Sequence, residues 1–196
     1  MKKSIITLII FAFFASCGKR NNNTEQPTDN TFDYGVVING IRWATRNVDA
    51  PGTFAPYPES FGMFFQWNRK SGGRRGGNAN NDRRGAIGDS WALDNDPCPP
   101  GWRVPTLEEI QSLFYAGFSE WTQLNGVNGR YVGIYPHRIF LPASGGGGVF
   151  GSYWSSTRGT LFGEGAGALN LWIYRSDVGV IHNFRQSRLS VRCVAK

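Results

Sequence analysis

Cys98-Pro99-Pro100-Gly101-Trp102-Arg103-Val104-Pro105-Thr106-Leu107-Glu108-Glu109-Ile110-Gln111-Ser112-Leu113-Phe114 is the stretch on which the most local signals agree. Pro99-Pro100-Gly101 imposes a turn, and Pro105 biases Val104 away from the helical region, so Trp102 to Val104 are extended. The helix is predicted to begin at Thr106. Thr106 and Glu109 have capping-box spacing: the Thr hydroxyl accepts from the Glu109 N–H, and the Glu carboxylate reaches back to the N–H of Thr106. Leu107, Ile110, Leu113 and Phe114 then share one face, and Gly117 is placed to stop the helix. Cys98 needs a partner, and the downstream candidate is Cys193.

A chain of 196 residues with 40% hydrophobic and 14% aromatic content can bury one sizeable core, which predicts a single domain. Its first residues read differently. Lys2 and Lys3 precede an apolar run from Ile5 to Phe14, the length of a signal-peptide core and too short to span a bilayer. Phe14-Ala15-Ser16-Cys17-Gly18 follows and resembles a bacterial lipobox, with Phe14 in place of the usual Leu. The expectation is a signal peptide over residues 1–16 and a diacylated Cys17 that anchors the protein to a membrane of the cell envelope, as an outer-membrane lipoprotein. Residues 17–33 are polar and are expected to form a disordered tether on the order of 20 Å long. The domain is expected over residues 34–196.

With Cys17 acylated, Cys98 and Cys193 remain as an even pair in an oxidising compartment, which favours a disulfide over two free buried thiols. The formal charge is +7, and loss of Lys2 and Lys3 with the signal leaves +5. An exported basic protein meets anionic polysaccharide, lipid head groups or acidic glycans; the compartment argues against nucleic acid.

Along the chain, two β-rich runs within Tyr34 to Thr45 flank Asn39-Gly40, a type I′ hairpin signal. Asn47 to Pro58 reads as loop, and Gly62 to Trp67 as a short strand. Asn125-Gly126 and Asn128-Gly129 read as turns, and strands are predicted at 130–134, 138–143, 151–157, 169–174, 180–184 and 189–194. In the last of these Leu189, Val191 and Cys193 share one face. The run Gly145 to Gly148 lacks the Lys-Ser/Thr of a phosphate loop, and the GxGxxA match at Gly163 to Ala168 leads into a strand rather than a helix. Neither supports a nucleotide site.

Residues 69–84 are the compositional outlier, with Arg69, Lys70, Arg74, Arg75, Arg83 and Arg84 against one acid and no apolar side chain larger than Ala79. They read either as a polyanion-binding loop of forked and point-charge donors or as a solvated insertion.

Cys98-Pro-Pro-Gly-Trp-Arg-Val-Pro-Thr, Leu141-Pro-Ala with its glycines, Tyr153-Trp-Ser-Ser-Thr and the closing Ser190-Val-Arg-Cys-Val, in this order, resemble the fibrobacter major paralogous domain family of exported bacterial proteins. Asn39-Gly-Ile-Arg-Trp-Ala-Thr-Arg-Asn-Val resembles that family's opening hairpin, so the resemblance runs from about Tyr34 to Lys196. It implies an α+β, C-type-lectin-like fold of small twisted antiparallel sheets, one or two short helices and long loops. It implies no assigned reaction. Residues 69–84 depart from the family pattern.

The Glu-Pro-Asn or Gln-Pro-Asp and Trp-Asn-Asp signatures of calcium-dependent lectins are absent, so no metal or cofactor is expected. The two histidines, His137 and His182, lack zinc spacing, and a Ser155, His182, Asp177 triad has no supporting motif. The reading is therefore a non-catalytic envelope module that binds glycan or another anionic surface polymer. Arg74, Arg75, Arg83 and Arg84 are the candidates for anion contact, with Trp154, Arg158, Asn170 and Trp172 as a second set. The rival is a structural or assembly subunit, fimbrial or of a surface complex, that recognises a protein partner.

Overall fold

The computed structural model describes residues 30–74, 88–160 and 167–196. The signal peptide, Cys17 and most of the expected tether lie outside these residues, as do Arg75, Arg83 and Arg84. The described part is α+β: small antiparallel sheets with one short helix. No helix among the described residues is long and apolar enough to cross a membrane.

Chain order starts with the predicted hairpin, β1 (Val36–Ile38) and β2 (Ile41–Trp43), whose turn has positive φ at both Asn39 (50°) and Gly40 (80°), as a type I′ turn requires. β3 (Phe64–Phe65) and β4 (Gly72–Gly73) pair next, then β5 (Trp102–Arg103) leads to α1 (Leu107–Ser112). The meander β6 (Ser119–Leu124), β7 (Val127–Ile134) and β8 (His137–Pro142) forms one sheet, and β9 (Phe150–Gly159), β10 (Gly167–Tyr174) and β11 (Val178–Phe184) form another in the order β11-β10-β9. The last strand, β12 (Val194–Ala195), lies between β2 and β5, so both ends of the domain meet in the sheet β1-β2-β12-β5.

The opening stretch folds as its chemistry dictates. Thr106 caps α1, its hydroxyl accepting from Glu109 N–H while Glu109 accepts from Thr106 N–H. Arg103 grips the same carboxylate with two bonds of 2.7 and 2.5 Å. Cys98 is bonded to Cys193, tying the turn to the residue that enters the last strand across 95 positions.

Four expectations are corrected by packing. Phe114 is 37% exposed rather than core, because Leu113–Tyr115 tighten into a 3-10 turn whose three-residue period carries Phe114 off the apolar stripe. Asn128-Gly129 is not a turn but lies inside β7. A Cβ on Gly129 would sit 2.4 Å from the Phe140 ring, so the glycine serves close approach to β8. Of 189–194 only Val194 is in a regular strand; Leu189 and Ser190 make single bridges to Phe65 and Tyr153, and Ser190 and Arg192 are as buried as Val191 and Cys193. Asp33, placed in the tether, is buried and accepts from Gly35 N–H, Thr45 N–H and the Thr45 hydroxyl.

Two clusters make the core. One gathers Trp43, Ile110, Leu113, Val132, Ile139, Leu141, Tyr153, Leu171 and Ile173; the other gathers Phe54, Phe65, Trp67, Trp102, Trp154, Val191 and Cys193 around the disulfide.

Candidate functional site

β10 holds two residues of the second candidate set, Asn170 and Trp172, and pairs with the other two, Trp154 and Arg158, on β9. Leu171 and Ile173 point into the core, so Asn170, Trp172 and Tyr174 share the opposite face. On β9 that face carries Trp154 opposite Asn170 and Ser152 opposite Trp172.

The row is not uniformly open. Trp154 is fully buried, its indole N–H donating to Phe65 O at 2.7 Å, because the β3 segment covers that end. Asn170 is equally buried, with its side-chain amide donating to Leu171 O. As ligand contacts these two are therefore corrected: neither has a face to offer to a sugar ring. Further along, Trp172 is half-buried and stacks on Tyr174 with ring centroids 5.3 Å apart and planes within 8°. Its neighbour across the ladder on β11 is Gly179, beside which a Cβ would meet nothing within 4 Å. A pair of parallel rings thus stands next to an open glycine position on a sheet face. Tyr174 and Gly179 were missed by the sequence reading; the alternation of Trp172 and Tyr174 in a strand was the signal that could have found the first.

Arg158 is on the surface and pairs with Asp89, a contact linking β9 to the chain before β5. Arg74 is exposed at the end of the β3–β4 hairpin, in a different sheet from Trp172. Arg188 joins it there, donating to Arg74 O and lying over Gly73, where a Cβ would be 2.4 Å from a guanidinium nitrogen. Lys70 is exposed nearby in sequence on the hairpin loop. The described part of the basic stretch is thus a short hairpin with cations at its open end, and Arg188 comes to it from the other end of the sequence.

Three arginines that composition would assign to the surface, Arg130, Arg185 and Arg192, are buried. Arg192 donates to Asn47 Oδ1, Ala44 O and Phe140 O, and burial pushes its guanidinium down to about 10. Arg185 lies 4.1 Å above the Trp67 ring and donates to Gly167 O. Of the triad considered above, Ser155 is buried and donates to Leu169 O, while Asp177 accepts from Val178 N–H in an exposed turn.

The chain matches no protein-family model, no curated protein and no solved structure.

Proposed function

We propose that this protein is a non-catalytic binding module of the bacterial envelope, lipid-anchored through Cys17, whose ligand is a glycan or another anionic surface polymer. The reading also takes the domain as C-type-lectin-like and as a member of the fibrobacter major paralogous domain family; the small antiparallel sheets and single short helix are in keeping with it.

The observation that carries the glycan reading is the Trp172–Tyr174 ring pair beside open Gly179. Aromatic faces are apolar and stack on the C–H faces of sugar rings, while a neighbouring glycine leaves the approach clear. Arg74, Lys70 and Arg188 add exposed or half-exposed cations that suit carboxylate, sulfate or phosphate substituents. Aromatic stacking is insensitive to salt, whereas the attraction of these exposed cations weakens as salt rises and is largely screened beyond about 10 Å at 0.1 M salt.

A glycan array read at low and high salt tests the proposal. Salt-sensitive binding to acidic glycans, lowered in Trp172→Ala and in a variant lacking 69–84, is expected. Salt-insensitive binding that survives loss of 69–84 would remove the basic loop from the proposal, and binding unchanged in Trp172→Ala would remove the ring pair.

A further inference from the structure

β6 is the outer strand of the meander sheet β6-β7-β8. Its register with β7, Leu124 opposite Val127 through Ser119 opposite Val132, closes on the two-residue Asn125-Gly126 turn. In such a hairpin the pair flanking the turn is hydrogen-bonded and the pattern alternates. Leu124, Thr122 and Glu120 therefore bond inward to β7, and Phe118 continues the phase by accepting from Gly133 N–H at 3.0 Å. The N–H and C=O groups of Ser119, Trp121 and Gln123 face away from the sheet, and none of them has a main-chain partner among the described residues. This open edge is six residues long, and no Pro, Lys or bulge blunts it.

A cavity of about 220 Å³ opens beside the first residue of the edge, where Ser119 lines it. Most of its wall is apolar, from Leu113, Phe114, Phe118, Val132, Leu171 and Val178. It exceeds the ~150 Å³ cavity that takes up benzene and falls short of the roughly 300 Å³ at which drug-sized sites begin. One large side chain matches it. Around it Phe118 is 45% and Ile134 62% exposed, and Ile134 packs against the Gly117 position.

Unpaired main-chain donors and acceptors in strand geometry recognise one thing, the main chain of another extended segment, and the adjacent cavity supplies the side-chain selectivity. We infer that β6 is a docking edge for an extended peptide segment of a partner protein, which adds to the meander as a fourth strand and places one large apolar side chain in the Leu113–Val178 cavity. This site is separate from the Trp172–Tyr174 face and does not depend on the glycan reading.

Panning a random heptapeptide display library on the full chain, followed by amide hydrogen exchange with a synthetic copy of the enriched peptide, tests the inference. The expected result is a β-rich peptide with one large apolar residue. Its binding slows exchange at the Trp121 and Gln123 amides at least tenfold and leaves Thr122, already in the ladder, less changed. Affinity should fall at least tenfold when the apolar residue of the peptide is replaced by Asp, and in Ser119→Phe, which fills the cavity mouth. A library that enriches nothing overturns the inference. So does a peptide that binds while Trp121 and Gln123 exchange as in the free protein, a readout that needs no variant to fold.

Discussion

Arg192 donates from Nε to Oδ1 of Asn47 at 2.9 Å, and the two residues, 145 positions apart, are both buried. The guanidinium also holds Ala44 O and Phe140 O, so one side chain joins the chain after β2, β8 and the C-terminal segment. A buried cation is costly unless its donors are used, and here main-chain and amide oxygens take them up. Arg192→Leu strands three acceptors at once. Given ~1–3 kcal/mol for each buried group left unsatisfied, a loss of at least about 3 kcal/mol is expected in urea denaturation. Arg158→Ala, which removes an exposed pair with Asp89, should cost less than about 1 kcal/mol by the same measurement.

The capping box makes stability depend on pH. Burial opposes ionisation of Glu109, but the Arg103 hydrogen bonds, the Thr106 N–H and the charge of Arg103 together outweigh it and hold the carboxyl below its usual range. A carboxyl lowered in the folded state stabilises the fold above its unfolded pKa, and that contribution disappears as pH falls through the folded pKa. Glu109→Gln, which can still close the capping box, should therefore cost up to about 1 kcal/mol at pH 7, and that difference from the wild type should vanish in acid. A constant difference across pH 2–7 in paired urea titrations would show that the loss is not the carboxylate's charge.

Reduction should cost more than any surface change. The Cys98–Cys193 bond closes a loop of 95 positions, for which chain entropy alone predicts up to about 4.7 kcal/mol. Cys98→Ser with Cys193→Ser, compared with the wild type in the presence and absence of reductant, should show a lower urea midpoint that reductant no longer changes.

Trp154 and Trp172 should separate folding from binding. Trp154→Ala leaves a cavity and removes one of the two donors to Phe65 O, the other being Leu189 N–H, with an expected cost of about 3–5 kcal/mol. Trp172→Ala, on a half-buried shelf, should leave thermal unfolding cooperative while lowering glycan binding. Thermal melts paired with the glycan array distinguish the two.

Sequence reading succeeded where structure is decided within a few residues. Asn39-Gly40 and Asn125-Gly126 are type I′ turns because their neighbours supply strands and their own backbones accept positive φ. Thr106 caps its helix through Glu109, three residues on. It failed where the decision came from elsewhere in the chain. Asn128-Gly129 carries the same kind of dipeptide as a turn, yet the Phe140 ring makes its glycine a packing residue. Trp154 and Trp172 look alike in a strand, and only the β3 segment covering one of them makes it core.

The sequence alone thus determined the local units: the hairpins, the capped helix start, the α+β character and the pairing of Cys98 with Cys193. Tertiary structure alone decided which side chains are left to meet a ligand. Burial is a property of what packs on top of a residue, and alternation within a strand names the two faces without saying which is covered where. The same reason hid Arg185 and Arg192 among the basic residues, since their partners, Trp67, Asn47 and distant carbonyls, are assembled only by the fold.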